Sequence, residues 1–214
     1  MKKKLFFPIL LILCGIGVGV LITGVIYALT GFDFIDNGKR RTVSIDDAES
    51  ADMIMLAYRV LEYIKDDDFN GLSHVVHPVY GVVLSPYATI NLATDRRFSA
   101  EQIAGLGSDS SIYVWGVYNG SGEPIELTPT EYFDEFISAE DFLKVNIIGI
   151  NQVVRSGNAL ENIPDVFPNA EFVDFHITAG EPTDDFDWRS LRLGFEEYNG
   201  YFRLIAIVFN KRTA

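Results

Sequence analysis

Cysteine is almost absent: Cys14 stands alone among 214 residues, so no intramolecular disulfide and no cysteine-based zinc site can form. Histidine is scarce, with only His74, His77 and His176. Basic residues are few. Three of the 17 and none of the 30 acidic residues lie in the first 32 positions, which leaves the rest of the chain at −16. A body that acidic argues against nucleic acid as a partner, because phosphate contacts dominate that affinity. No Gly-x-Ser-x-Gly nucleophile motif, no glycine-rich phosphate loop, no internal repeat and no low-complexity tract occurs. Apolar residues at 48% and charged residues at 22% exclude wholesale disorder.

Charge is also missing throughout Leu5–Phe32, 28 residues preceded by Lys2, Lys3 and Lys4. A helix needs ~20 apolar residues to cross the hydrocarbon core, whereas a cleaved signal peptide has an apolar region of only ~7–15. The run predicts an uncleaved transmembrane anchor, residues 1–32. Ala28-Leu29-Thr30 is a poor cleavage site, and Cys14 follows Leu13, which does not suit a lipoprotein signal. The amino-terminal positive charges face Lys39, Arg40 and Arg41 across the segment, the latter diluted by Asp33 and Asp36. The balance favours the amino terminus inside and the body outside the cell membrane. Gly15, Gly19 and Thr23, spaced by four, fall on one helix face, where small residues let two such helices approach as a homodimer.

Residues 33–45 read as a juxtamembrane linker and 46–214 as one extracytoplasmic domain. From Asp46, with Glu49 completing a cap, Ile54, Tyr58, Leu61 and Ile64 recur at helical spacing. A short helix carrying Leu72, Val75 and Val76 follows and stops at Pro78. Strands are predicted at Val79–Leu84, Ala88–Leu92, Ile112–Tyr118, Val145–Val154 and Glu171–Thr178. Helices start at the capping boxes Ser99/Gln102 and Thr128/Glu131, the second with Pro129 at its first position. Asn199-Gly200 predicts a two-residue hairpin turn between Arg189–Glu197 and Tyr201–Asn210. That register puts Leu191, Leu193 and Phe195 on one face with Phe202, Leu204, Ala206 and Val208, and Glu196 opposite Arg203. Helices gathered ahead of a mostly antiparallel sheet indicate an α+β fold, with the element order of a ketosteroid-isomerase-like cone in which a curved sheet wraps a helix.

Several strings occur in a fixed order: His77-Pro78-x-x-Gly81-Val82, Ser85-Pro86-Tyr87, Trp115-Gly116-x-Tyr118-x-Gly120-x-Gly122-x-Pro124-Ile125, Leu127-Thr128 and Trp188-Arg189-Ser190-Leu191. Together they resemble an uncharacterised family of bacterial extracytoplasmic proteins, often lipoproteins or anchored by one helix. The resemblance implies that setting and no activity. This chain departs from it in having Val83 where an Arg is common, and Phe209-Asn210 where a His-Asp is common.

Three groups of residues invite a chemical reading. Strand alternation puts Phe172, Asp174 and His176 on one face, opposite Val173, Phe175 and Ile177. Asp174 can orient the His176 imidazole for general-base catalysis, with His77 as a third participant; as a late antiparallel strand, its polar side is otherwise expected to be wet. His74, His77 and His176 together make a candidate zinc set, provided the fold joins them. Asp66-x-Asp68-x-Asn70-Gly71 matches the first half of a calcium loop, although His77 stands where the bidentate Glu belongs. Calcium through Asp66, Asp68 and Asn70 is the one cofactor suggested, against the plainer reading of an acidic helix end. Trp115, Tyr118, Tyr132 and Trp188 serve core packing or line a pocket. The sequence thus favours a membrane-anchored extracytoplasmic binding or interaction module for a protein or small-molecule ligand. The alternative is a hydrolase or isomerase built on Asp174 and His176.

Overall fold

A computed structural model describes residues 32–36, 39–43, 48–178 and 188–211, with side chains from residue 50 onward. The expected anchor, the Gly15/Gly19/Thr23 face and the Asp46 cap lie outside the described residues or their described side chains. Among the described residues no helix is long and apolar enough to cross a membrane.

The fold is α+β with a mostly antiparallel sheet. Helix α1 (Ala48–Lys65) buries Met53, Ile54, Ala57, Val60, Leu61 and Ile64, a stripe at three- and four-residue spacing. Short helices follow: α2 (Phe69–Ser73), α3 (Ala100–Gly105), α4 (Pro129–Tyr132), α5 (Ala139–Phe142) and α6 (Ile163–Val166). The strands are β1 (Phe32–Asp36), β2 (Lys39–Val43), β3 (Val82–Ser85), β4 (Arg96–Phe98), β5 (Tyr113–Val117), β6 (Pro124–Leu127), β7 (Ile147–Ile150), β8 (Glu171–Ile177), β9 (Arg189–Tyr198) and β10 (Tyr201–Lys211). Six of them form one sheet in the order β4-β3-β10-β9-β8-β7, with β3 against β10 its only parallel pair. The segment read as a linker holds the hairpin β1–β2, and β5 and β6 form a second.

Both capping boxes are present: Ser99 and Thr128 each accept from the third backbone N–H, and Gln102 and Glu131 reach back. After α4 the chain continues in a π turn over Phe133–Ile137, which turns Phe133, Phe136 and Ile137 inward together. Ser138, at φ +41°, ends the turn by donating Oγ to the Asp134 carbonyl at 2.8 Å.

Several strand expectations need correction. Ala88–Leu92 is not a strand. Asn91 accepts the Ala93 N–H and donates its own to Asp95, an Asx turn that diverts the chain, and β4 follows where no strand was expected. β3 starts only at Val82, after a turn in which the Gly81 N–H bonds the His77 carbonyl with Gly81 at φ +72°. β7 stops at Ile150 because Asn151 turns to φ +51°.

The Asn199-Gly200 turn is as expected, at φ +54° and +80°, with Tyr198 opposite Tyr201 and Glu196 opposite Arg203. Beyond Leu204 a β-bulge shifts the register, so Ala206 opposes Gly194 and Ile207 opposes Leu193. Ile207 and Phe209 therefore join Leu191, Leu193 and Phe195 against the helices, while Ile205, Ala206 and Val208 turn to the opposite face. A Cβ on Gly194 would sit 3.3 Å from that of Ala206, so the bare backbone admits the bulge.

The sheet is thus buried on both faces. The helices and β5–β6 cover one, with Trp115 stacked on Tyr132 at 3.9 Å between ring centres. The segment after β7, residues 151–170, straps the other, where Ile163, Val166 and Phe167 meet Phe172, Ile205 and Val208.

Candidate functional site

The strapped face carries the Asp174–His176 pair. Side-chain alternation along β8 is as expected, but the wet face is not: Asp174 is 0% and His176 4% exposed. Cross-strand pairing sets Asp174 beside Arg192, and His176 beside Ser190, itself beside Asn210. Asp174 Oδ2 accepts the Val154 N–H at 2.8 Å and lies 3.2 Å from Arg192 Nε. The strap adds Glu161, whose carboxylate takes Arg192 on one oxygen and the Asn210 amide on the other, and the Arg155 carbonyl, which accepts from Arg192 Nη2 at 3.3 Å. Arg192 is therefore a hub between sheet and strap.

Burial pushes the carboxyls of Asp174 and Glu161 above their ordinary values, opposed by the Arg192 charge. His176 Nδ1 is bonded to Ser190 Oγ at 2.9 Å, and its ring lies 5.8 Å from that of Trp188. Burial, with the charges of Arg155 and Arg192, lowers its pKa to about 4 and leaves the ring neutral at pH 7. Asp174 serves Arg192 and the strap backbone, His176 serves Ser190, and both are covered. The arrangement ties a segment down.

His77 belongs elsewhere. Its Nδ1 accepts from the Val79 and Tyr80 N–H groups at 3.2 and 3.0 Å, and its ring stacks on Tyr80 and meets Tyr198 edge-on. Tyr198 and Ser190 are eight residues apart on β9, roughly 26 Å at strand rise, so His77 cannot join His176. His74 is held to the Asn70 carbonyl at 2.8 Å. The zinc set is not assembled. Of the calcium candidates, Asp68 caps α2 by accepting the Gly71 N–H at 2.7 Å, and Asp66 pairs with Lys65 at 2.9 Å. Among the described residues no cluster of three or more His, Cys, Asp or Glu has the geometry to hold a metal ion.

Sequence patterning did not predict one open site, a groove of about 610 Å³ between α1 and the end of the β9–β10 hairpin. Asp52, Met55, Leu56 and Arg59 line it from α1, a second stripe beside the one buried in the core; Val75, Glu197, Tyr201, Phe202 and Arg203 line the other side. Met55 is 43% and Tyr201 69% exposed. Arg203 donates Nη1 to the His74 carbonyl at 2.8 Å, and its Nε is buried without a hydrogen-bond partner. The side chains of Asp52, Arg59 and Glu197 make no ion pair or hydrogen bond among the described residues. The stripe at positions 52, 55, 56 and 59 is legible in the sequence, but nothing there says that a hairpin end faces it.

No family model and no curated protein matches the chain. Among solved structures, Aln2 from a Streptomyces species is 12% identical with a TM-score of 0.36, over 77% of this chain and 92% of that one. A DUF4783 family protein from Bacteroides ovatus is 10% identical at 0.33, over 72% and 94%. A putative calcium/calmodulin dependent protein kinase II association domain from Xanthomonas campestris is 12% identical, also at 0.33, over 77% and 89%. At these TM-scores the likenesses do not define a shared fold.

Proposed function

We propose that this chain is a membrane-anchored extracytoplasmic binding module, held by a single transmembrane helix in the uncharged run from Leu5 that precedes β1, whose ligand enters the groove between α1 and the β9–β10 hairpin. The body is read as a ketosteroid-isomerase-like cone, with the sheet wrapped on α1. What supports binding is one observation: the groove presents uncommitted charges and exposed Met55 and Tyr201, while Asp174 is engaged by Arg192 and the strap backbone and His176 by Ser190. Methionine, tyrosine and arginine at an open concave surface are the residue types that interfaces favour. The uncharged amino-terminal run supports the anchor, and Lys2, Lys3 and Lys4 ahead of it support the body outside the membrane.

Site-specific photocrosslinking in living cells tests the reading. A benzophenone side chain at Met55 or Tyr201 should give adducts that the same group at exposed Ile112, just ahead of β5 and outside the groove lining, does not. Equal labelling at Ile112, or none in the groove, would refute it.

A further inference from the structure

We infer that the groove takes an extended peptide, added as a strand along the free edge of β9; the inference rests on the binding-module reading and names its ligand class. β8 ends its pairing at Glu171 opposite Phe195, while β9 runs on to Tyr198 paired, among the described residues, with β10 alone. Tyr198 and Tyr201 bracket a two-residue turn, so their backbone groups face each other. By antiparallel alternation the N–H and C=O of Glu197 point the other way, into the strand position that β8 vacates. Glu197 also lines the groove.

An incoming strand satisfies both of those groups, and its alternate side chains face the groove. The groove floor there is apolar, formed by Met55, Leu56 and Phe202, and holds a side chain such as Val or Leu. The charges around it have both signs: Arg59 is free for a carboxylate, Asp52 and Glu197 for a cation. A simple anion leaves the two acids unanswered and a simple cation leaves Arg59 unanswered. A polypeptide supplies backbone donors and acceptors, an apolar side chain and both charges at once. The partner chemistry is therefore an extended segment with an apolar residue between one acidic and one basic residue.

The test uses the full chain in nanodiscs. The probes are blocked heptapeptides with Val or Leu at alternate positions between a Glu and a Lys, with octanoate and inorganic phosphate as separate probes. Peptide binding should slow hydrogen exchange across Glu196–Tyr198. Glu197→Ala removes only the carboxylate, and Glu197→Pro, which also removes an outward N–H while sparing the β10 pairing, should weaken binding a further ~10-fold beyond Glu197→Ala, the value of one hydrogen bond. Should the proline variant fail to fold, Met55→Asp carries the same expectation through the groove floor. Octanoate or phosphate binding that Arg59→Ala abolishes, with no peptide binding below ~1 mM, would overturn the peptide inference and leave the groove reading standing. Peptide binding that neither protects Glu196–Tyr198 nor responds to Glu197→Pro or Met55→Asp would also overturn it. No probe binding below ~1 mM overturns it too, and the in-cell crosslinks then decide the groove reading separately.

Discussion

Asp174 Oδ2 lies 3.2 Å from Arg192 Nε, with both side chains buried on the face of the sheet that the 151–170 segment covers. Removing one member of such a pair leaves an uncompensated buried charge, which costs ~3–5 kcal/mol. Arg192→Met strands Asp174 and Glu161 together and should fall in that range in urea melts of the full chain. Combining it with Asp174→Leu should recover part of the loss, because the double change removes the orphaned carboxylate as well. Strictly additive losses would show that the two side chains are not coupled.

His176→Ala should destabilise by ~1–3 kcal/mol, the cost of leaving the buried Ser190 hydroxyl without its partner. A loss under ~0.5 kcal/mol is what a solvated position gives. That smaller value would restore the wet face implied by alternation alone.

The same ring makes stability depend on pH. His176 titrates at about 4 in the fold, against ~6.5 for an unfolded histidine. Its contribution is complete above the unfolded value, because the fold binds the neutral form. As pH falls from ~6.5 toward 4 the unfolded chain takes up the proton first, at a cost of about 2 kcal/mol by pH 5. His176→Gln should flatten that part of the pH profile. Asp174 and Glu161, with raised folded values, act in the opposite sense, at the acid end where carboxyls titrate. A wild-type profile between pH 7 and 5 that His176→Gln leaves unaltered would contradict the burial of this ring.

Calcium should leave the melting curve where it is. Asp68 already spends its carboxylate on the Gly71 N–H, so Asp68→Ala should cost ~1 kcal/mol as a lost cap, with or without millimolar calcium. A calcium-dependent rise in Tm that Asp68→Ala removes would reinstate the metal site.

Local chemistry was legible wherever one residue type decides the backbone. The two capping boxes, the Asn199-Gly200 turn and the Glu196–Arg203 pairing all appear where the spacing puts them. Register beyond Leu204 was not, because one extra residue at Ile205 moves Ala206 and Val208 to the other face and leaves no mark but Gly194 opposite. The burial of Asp174 and His176 was missed for a related reason. Alternation tells which residues share a face, and not whether a later loop covers it. The strap has little periodicity, and its role shows in its packing on Phe172, Ile205 and Val208 and its ties to Arg192 through Glu161 and the Arg155 carbonyl. The groove was missed because it lies between elements 138 residues apart, Arg59 to Glu197.

The proposed placement displays the groove at the cell surface, on a body held outside the cell by an uncleaved amino-terminal helix. Protease added to intact spheroplasts, followed by mass spectrometry of the membrane fraction, measures this directly. Fragments of residues 46–214 should disappear while a membrane-embedded piece beginning at the original amino terminus persists. A body that stays protected until the membrane is lysed, or a mature chain starting near residue 30, would contradict the proposed placement.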